Sequence, residues 1–158
     1  MTEPSSGYPV VISSDFCFPF QVVFQPTSEG PKSAALTILS NDPVQPILEI
    51  QATGNGARPK IATIIADSGK YGNVGVGSFK DLDLTINNSG GCGLLLNNIT
   101  SSSVEFLTAS ALSFPLLIHS GDSLHMTIRL EPARFGPKGA SISLFISDPS
   151  TPVKVVSV

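Results

Sequence analysis

The sequence predicts an all-β fold, an antiparallel β-sandwich with essentially no helix. Three segments alternate apolar and polar residues with a period of two, which places one face of each strand in a core. Other short apolar runs are separated by Gly, Pro, Asn, Asp and Ser, so seven or eight short strands are expected in one unit. No segment shows a capped helical periodicity longer than a turn or two.

The three best-defined strands contain Leu82–Ile86, Leu124–Leu130 and Ala140–Ile146. Their alternation predicts which side chains face the core: Leu84, Ile86, Met126, Ile128, Ile142 and Leu144. Weaker strands are predicted at residues 60–66, 94–100, 104–107, 115–119 and 153–158.

The chain repeats itself at an offset of 106 residues without gaps. From Tyr8 paired with Phe114 to Ala52 paired with Val158, 11 of the 45 pairs are identical. Examples are Pro26 with Pro132, Gly30 with Gly136 and Asp42 with Asp148. A period of this length is typical of tandem immunoglobulin-like modules, since solenoid repeats run from about 20 to 50 residues.

The repeat predicts three parts. Residues 1–54 form the C-terminal half of a first immunoglobulin-like unit, residues 55–59 form a linker rich in turn-forming residues, and residues 60–158 form a complete unit. The half-unit is expected to contain four strands: Val10–Ser13, Phe20–Gln25, Ala34–Ser40 and Ile47–Thr53. Because strands that complete its core are missing, we expect it to expose strand edges and an apolar face that recruit another chain.

The charge balance excludes some partners. Charged residues make up 13% of the chain and its net charge is -3. Binding to nucleic acid or to anionic membranes depends on clustered Lys and Arg, and no basic stripe occurs along the sequence. The longest apolar stretch is far shorter than the ~18 residues that a membrane span needs, and residues 1–17 lack the pattern of a signal peptide. We therefore expect no nucleic acid and no membrane insertion.

The side chains that could form a chemical site are few and scattered. His119 and His125 lie six residues apart with no third ligand at a metal-like spacing, so surface roles are expected for both. Cys17 and Cys92 do not superpose in the repeat. They are interpreted as free thiols, with a disulfide between different units as the alternative.

Two further patterns have a functional and a structural interpretation. Asp81 and Asp83 share one strand face and could act as paired carboxylates or calcium ligands, but a solvated strand face explains them better. Asn87-Asn88-Ser89 and Asn98-Ile99-Thr100 match the N-glycosylation pattern, which matters only in a eukaryotic secretory pathway. No Gly-x-Ser-x-Gly elbow is present. The sequence thus predicts no catalytic, metal or cofactor-binding residue, no cofactor, and no enzyme.

Two groups of residues carry a resemblance to a known family. The first is Tyr71-Gly72-Asn73-Val74-Gly75-Val76-Gly77 followed by Leu82, Leu84, Ile86, Asn87, Ser89 and Gly90. The second is Gly121-Asp122-Ser123, the run 128–132, Gly136 and Ser147-Asp148-Pro149. Together they resemble the ASH (hydin-type) immunoglobulin-like domain, a relative of the major sperm protein and PapD-like folds. One departure is Leu130, where the family has Phe.

The resemblance implies a noncatalytic module of a larger protein. We expect a spacer or protein-binding unit of a bacterial extracellular or cell-surface protein, which pairs with a protein partner or with itself through sheet edges. The first alternative is a carbohydrate-binding or accessory module of a secreted hydrolase. The absence of Trp and the presence of only 2 Tyr argue against glycan binding. The second alternative is a cytoplasmic ciliary or centrosomal adaptor, which the small number of charged residues disfavours.

Overall fold

The computed structural model of the chain describes residues 9–158, so the first eight residues of the predicted half-unit, including Tyr8, lie outside the described residues. The chain divides into two compact units, Met1–Gly56 and Ala57–Val158. Nearly all regular structure is β-strand in antiparallel sheets, which confirms the predicted all-β class.

The C-terminal unit contains eight strands in two four-stranded sheets. The strands are β3 (Ile61–Ile65), β4 (Lys80–Asn88), β5 (Leu94–Ser101), β6 (Phe106–Thr108), β7 (Leu116–Ile118), β8 (Ser123–Leu130), β9 (Ser141–Ile146) and β10 (Val153–Ser157). One sheet has the order β3-β4-β8-β6 and the other has the order β10-β9-β5-β7. The only helical turn in the described residues is a 3₁₀ turn at Ala66–Gly69.

The core lies between the two sheets, because every strand with strict alternation turns its apolar row toward the other sheet. All six side chains predicted to face inward are buried: Leu84, Ile86, Met126, Ile128, Ile142 and Leu144. Phe106 from β6 and Leu94 and Leu96 from β5 complete the central cluster. The period-two pattern therefore located both the strands and their phase.

In the N-terminal unit the described residues form a single hairpin, made by β1 (Gly30–Leu39) and β2 (Ile47–Gly56). The strands predicted at Val10–Ser13 and Phe20–Gln25 are wrong, because neither segment is a strand. Their counterparts in the C-terminal unit are β7 and β8, which pair with β5 and with β4 and β6. The described part of the N-terminal unit contains no such partner strands, so these segments have no ladder to join.

The hairpin β1–β2 has the same register as the hairpin β9–β10, shifted by 106 residues. Leu39 faces Ile47 just as Phe145 faces Val153, and Leu36 faces Ile50 just as Ile142 faces Val156. The turn that follows the first strand agrees as well, because the amide of Ser40 donates to the Pro46 carbonyl and that of Ile146 to the Pro152 carbonyl. The sequence repeat thus corresponds to a repeat of hydrogen bonds.

Both connecting turns contain an aspartate that caps backbone amides. Asp42 Oδ1 accepts the amide hydrogens of Val44 and Gln45, at 2.7 and 3.2 Å. Asp148 Oδ1 accepts that of Ser150 at 2.9 Å. Each carboxylate therefore satisfies backbone donors that the tight turn leaves unpaired, as expected for an Asp-Pro turn.

The border between the two units falls within the predicted linker. The hairpin ladder extends through two of its five residues, because Asn55 and Gly56 pair with Pro31 and Gly30. The second unit then starts at Ala57.

Candidate functional site

The outward face of β4 and β8 carries a ladder of polar cross-strand pairs. Asp81 faces Arg129, Asp83 faces Thr127, Thr85 faces His125 and Asn87 faces Ser123. All four pairs make side-chain contacts of 2.6 to 3.4 Å. The two acids and one of the two histidines singled out in the sequence are therefore engaged by the residue opposite them.

The strongest pair of this ladder is a bidentate ion pair between Arg129 and Asp81. Arg129 Nε and Nη2 donate to Asp81 Oδ1 and Oδ2 at 2.8 and 2.9 Å. These hydrogen bonds hold the pKa of Asp81 below its usual range, against a smaller opposing effect of desolvation. The same guanidinium lies 3.7 Å from the centre of the Phe79 ring. Asp81 is thus held as the partner of a cation and is not arranged as a general acid.

The remaining sequence candidates lie apart from one another. His119 is exposed at the end of β7, and Cys17 and Cys92 both carry free thiols. Within residues 9–158 no three His, Cys, Asp or Glu side chains come close enough to hold a metal ion. Of the two glycosylation candidates, Asn98 is exposed, whereas the Asn87 side chain accepts a hydrogen bond from Ser123.

Asn88 is a buried polar anchor that the sequence did not single out as one. The residue is 1% exposed, and its side chain makes four hydrogen bonds. Its Nδ2 donates to the carbonyls of Cys92 and Ile118, and its Oδ1 accepts from the amides of Lys60 and Gly90. Asn88 therefore joins three chain segments at one end of the sandwich, and this is a structural role.

Tyr71 forms a second anchor, at the other end of β4. Its hydroxyl donates to the Ile128 carbonyl at 2.7 Å, and its ring meets Phe106 edge-on with 5.4 Å between ring centres. Burial, with a smaller effect of the Asp81 charge, raises the pKa of Tyr71 to about 12. The ammonium of Lys80 donates to the Tyr71 carbonyl at 2.8 Å. The start of the loop after Tyr71 is thus fixed by its side chain and its backbone.

A cleft of about 610 Å³ opens beside Tyr71. Two loops form its sides, Gly69–Val76 and Pro132–Lys138, and the buried side chains of Phe106 and Leu130 also line it. These loops contain parts of both groups of residues that carry the family resemblance. Tertiary folding therefore brings two motifs 60 residues apart in the sequence to one cleft.

The side chains that line this cleft include no Asp or Glu but three cations, Lys70, Arg134 and Lys138. Lys138 forms an ion pair of 2.8 Å with Glu105. Hydrogen bonds from Lys138 and from the Ala133 amide hold the pKa of Glu105 below its usual range, so this carboxylate is a brace for the second loop.

The sequence did not predict this cleft, because its cations are isolated in the chain and form no run. The comparison of the two repeats does single out one loop of this cleft. Arg134 and Phe135 correspond to Ser28 and Glu29, so this stretch differs between the two units although the prolines and glycines around it are identical.

The hairpin of the N-terminal unit has one apolar and one polar face. The apolar row consists of Ala34, Leu36, Ile38, Leu48, Ile50 and Ala52. The ring of Phe24 lies directly over Gly54, where a Cβ would come within 2.7 Å of it. Leu48 and Ile50 remain exposed nevertheless. The hairpin therefore presents an uncovered apolar surface.

Comparisons with known proteins identify a likeness of fold alone. No protein-family model and no curated protein matches the sequence. A solved structure is similar. It is a protein of unknown function from Porphyromonas gingivalis W83, with a TM-score of 0.54 and 17% identity, and the match covers 86% of this chain and 67% of that chain. Among the residues that the structure describes, no helix is long and apolar enough to span a membrane.

Proposed function

We propose that the chain is a noncatalytic structural module of a larger extracellular or cell-surface protein, which associates through the hairpin of its N-terminal unit. In this proposal the C-terminal unit is an immunoglobulin-like spacer of the ASH (hydin-type) class. The N-terminal unit is part of a second copy of that module, and its partner is a second copy of the chain.

The strand order of the C-terminal unit supports the immunoglobulin-like assignment. In constant-type immunoglobulin domains the first, second, fifth and fourth strands form one sheet, and the seventh, sixth and third form the other. The sheet β3-β4-β8-β6 and the row β10-β9-β5 have this order when the short strand β7 is treated as an addition beside β5. The four strands of the first sheet and the three of the second are joined by the same antiparallel pairings.

The shared register of the two hairpins supports the proposed repeat. The pairs of facing residues, the closing hydrogen bond and the aspartate-capped turn recur at the same spacing. Gly30 and Gly136 also both have positive φ, 93° and 113°. These features depend on backbone conformation, so the resemblance between the two segments extends beyond their amino-acid identities.

One observation carries the proposed association. The apolar row of β9 and β10 is covered by the opposite sheet of its own unit, and Ile142, Leu144 and Val156 are buried. The equivalent row of β1 and β2 is half-buried or exposed. An apolar face whose counterpart in the C-terminal unit packs against a sheet is thus available to another polypeptide, and two copies of this face can cover each other because both are apolar.

The polar side chains of the sandwich support the noncatalytic part of the proposal. The acids and the histidine on β4 and β8 form the cross-strand ladder described above, and such pairs stabilise a sheet. Every buried polar side-chain atom within residues 9–158 has a hydrogen-bond partner. These polar groups therefore stabilise the fold.

Self-association tests the proposal. Light scattering over a concentration series should show the average mass of the wild-type chain rising toward a dimer. Ile50→Asp places a charge in the apolar row and should keep the chain monomeric, because a buried unpaired carboxylate is costly. Ile50 is exposed in the single chain, so this substitution leaves the fold intact.

Gln51→Asp is the matched control, because Gln51 lies on the polar face of the same strand. This variant should associate as the wild type does. A wild-type chain that remains monomeric at the highest concentration, or equal loss of association in both variants, would contradict the proposal.

A further inference from the structure

We propose that the cleft between the loops Gly69–Val76 and Pro132–Lys138 binds an acidic peptide segment that also carries an apolar side chain. This inference goes beyond the proposed association, because the cleft lies wholly within the C-terminal unit and is carried by other residues. The occupant is an extended piece of another protein, with carboxylates that meet the cations of the cleft.

The size of the cleft suits a segment of a few residues. Its volume of about 610 Å³ lies in the middle of the range of about 300 to 1,000 Å³ found for ligand sites. A second depression of about 420 Å³ adjoins it, and Val76 and Pro132 line both. Because the two depressions share these lining residues, an extended chain fits the pair better than a small compact molecule does.

The charge of the lining selects an anionic occupant. No Asp or Glu side chain lines the cleft, and three cationic side chains do. Lys138 is neutralised by Glu105, but no residue in the described part of the chain pairs with the side chain of Lys70 or Arg134. The chain as a whole is negative, with a net charge of -3, so this local excess of positive charge opposes the general balance.

An aromatic side chain stands beside these charges. Phe135 follows Arg134 directly, lines the cleft and is 94% exposed. Val74 and Val76 lie on the opposite loop. An almost fully exposed Phe next to apolar neighbours gains contact area only when another molecule covers it, which is typical of binding surfaces. The occupant therefore needs an apolar group as well as a carboxylate.

The two loops are held in place before any ligand arrives. Lys80 binds the Tyr71 carbonyl, and the carboxylate of Glu105 binds both the Ala133 amide and the Lys138 ammonium. Gly72 has φ 67° and Gly136 has φ 113°, which a residue with a side chain adopts at a cost. A braced cleft loses little conformational entropy on binding.

The internal repeat separates the residues that the fold requires from those that it does not. Pro132, Gly136 and Lys138 have identical counterparts in Pro26, Gly30 and Lys32, whereas Arg134 and Phe135 correspond to Ser28 and Glu29. The turn therefore forms without an arginine and a phenylalanine. The turn itself does not require Arg134 and Phe135. A ligand in the cleft explains why these two side chains lie at its mouth.

A peptide fits these observations better than a nucleic acid does. Nucleic-acid binding needs several cations spaced along a phosphate backbone. Here only two unpaired cations line a cleft that also contains the apolar side chains of Phe135, Val74 and Val76. Glu105 and Glu131 line the second depression and would repel phosphates or carboxylates there, so the acidic residues of the peptide are placed in the first cleft, whereas a nucleic acid would carry its charge into both.

The test uses the full chain and a fluorescein-labelled peptide of sequence Glu-Glu-Phe-Leu-Glu-Glu. Fluorescence polarisation should show saturable binding that weakens as salt is added. A peptide with every Glu replaced by Gln should bind at least about tenfold more weakly, since hydrogen bonds between charged groups are roughly twice as strong as those between neutral groups.

Three variants should weaken binding of the acidic peptide. Lys70→Ala and Arg134→Ala remove one charge each, and the loss should be on the order of tenfold for each. Phe135→Ala removes the apolar contact and should weaken the Glu-Phe-Leu peptide more than it weakens hexaglutamate. All three side chains are exposed, so the thermal transition of each variant should equal that of the wild type.

Lys60→Ala is the matched charge control. Lys60 is exposed and lies beside Asn88, at the opposite end of β4 from Lys80. This variant should bind the peptide with wild-type affinity. Absence of binding, or equal weakening by Lys60→Ala and Arg134→Ala, would overturn the proposal. Binding of hexaglutamate or inorganic phosphate as strong as that of the mixed peptide would reduce the cleft to a simple anion site and would also overturn it.

Discussion

Ile50 and Val156 occupy the same register position in two hairpins of this chain, yet Val156 is 7% exposed and Ile50 is 43% exposed. Each is the apolar partner of a branched residue on the preceding strand, Leu36 and Ile142 respectively. The difference lies in what covers them, because only Val156 faces a second sheet. The strand pairing within the hairpin of the N-terminal unit therefore leaves its apolar face unburied.

The first prediction concerns independent folding. A chain of residues Ala57–Val158 should show one cooperative thermal transition, because its core is complete within those residues. A chain of residues Met1–Gly56 should show no such transition as a monomer, since a two-stranded hairpin is marginally stable at best in water. Circular dichroism and amide exchange make the comparison. Slow, cooperative exchange in the shorter chain at low concentration would refute the prediction.

The second prediction concerns the core of β8. Ile128→Ala should lower the free energy of unfolding by about 2 to 5 kcal/mol, from lost apolar burial and the cavity that remains. Its neighbour Thr127 points to the other face and makes only a 3.4 Å contact with Asp83. Thr127→Ala should therefore change the free energy of unfolding by less than about 0.5 kcal/mol. Urea denaturation of the two variants measures the contrast, and equal losses would mean that the faces are exchanged.

The third prediction concerns the buried amide of Asn88. Asn88→Ala should lower the free energy of unfolding by about 3 kcal/mol, because it leaves buried backbone donors and acceptors from three segments without partners. Asn98→Ala is the control, since the exposed Asn98 side chain bonds only to the adjacent Ile99 amide. Its effect should stay within about 0.5 kcal/mol in the same urea experiment. A loss below 1 kcal/mol for Asn88→Ala would show that water replaces the amide.

The fourth prediction concerns pH. Burial raises the pKa of Tyr71 to about 12 in the folded chain, whereas an unfolded tyrosine titrates near 10. The stabilisation by the neutral phenol is therefore complete below pH 10 and is lost as the pH rises toward 12, because the unfolded state releases its proton first. The stability advantage of the wild type over Tyr71→Phe should shrink across this interval.

Absorbance titration of the phenolate checks the same effect directly. In a Tyr8→Phe variant Tyr71 is the one remaining tyrosine. Its ionisation should lie near pH 12 in the folded protein and near pH 10 in urea. Ionisation near pH 10 in both conditions would contradict the prediction.

Strand positions and the phase of the core could be predicted because they depend on neighbours in the sequence. The alternation in β4, β8 and β9 assigns each side chain to a face, whichever strand lies beside it. The same reasoning failed at Phe20–Gln25, which has the apolar pattern of β8 and is not a strand. A strand requires a hydrogen-bonding partner, and the pattern of one segment contains no information about whether its partner is present.

The candidate site shows what short-range sequence patterns do not predict, namely which residues distant in sequence come together. Charge counts predicted no basic surface, because Lys70, Arg134 and Lys138 are separated in the sequence by up to 68 residues. They line one cleft because the loop after Tyr71 and the loop after Pro132 end at the same edge of the sandwich. Asn88 was overlooked as an anchor for a similar reason, since its four partners come from three segments and two of them, Lys60 and Ile118, are distant in sequence.

The sequence by itself thus determined the all-β class, the repeat of 106 residues and the inward row of each regular strand. Each of these follows from short-range patterns or from comparison of the chain with itself. Only the tertiary structure decided which apolar row is covered, which polar groups are paired and where separated cations converge. Those properties depend on contacts between segments distant in sequence, and such contacts exist only after the sheets have packed.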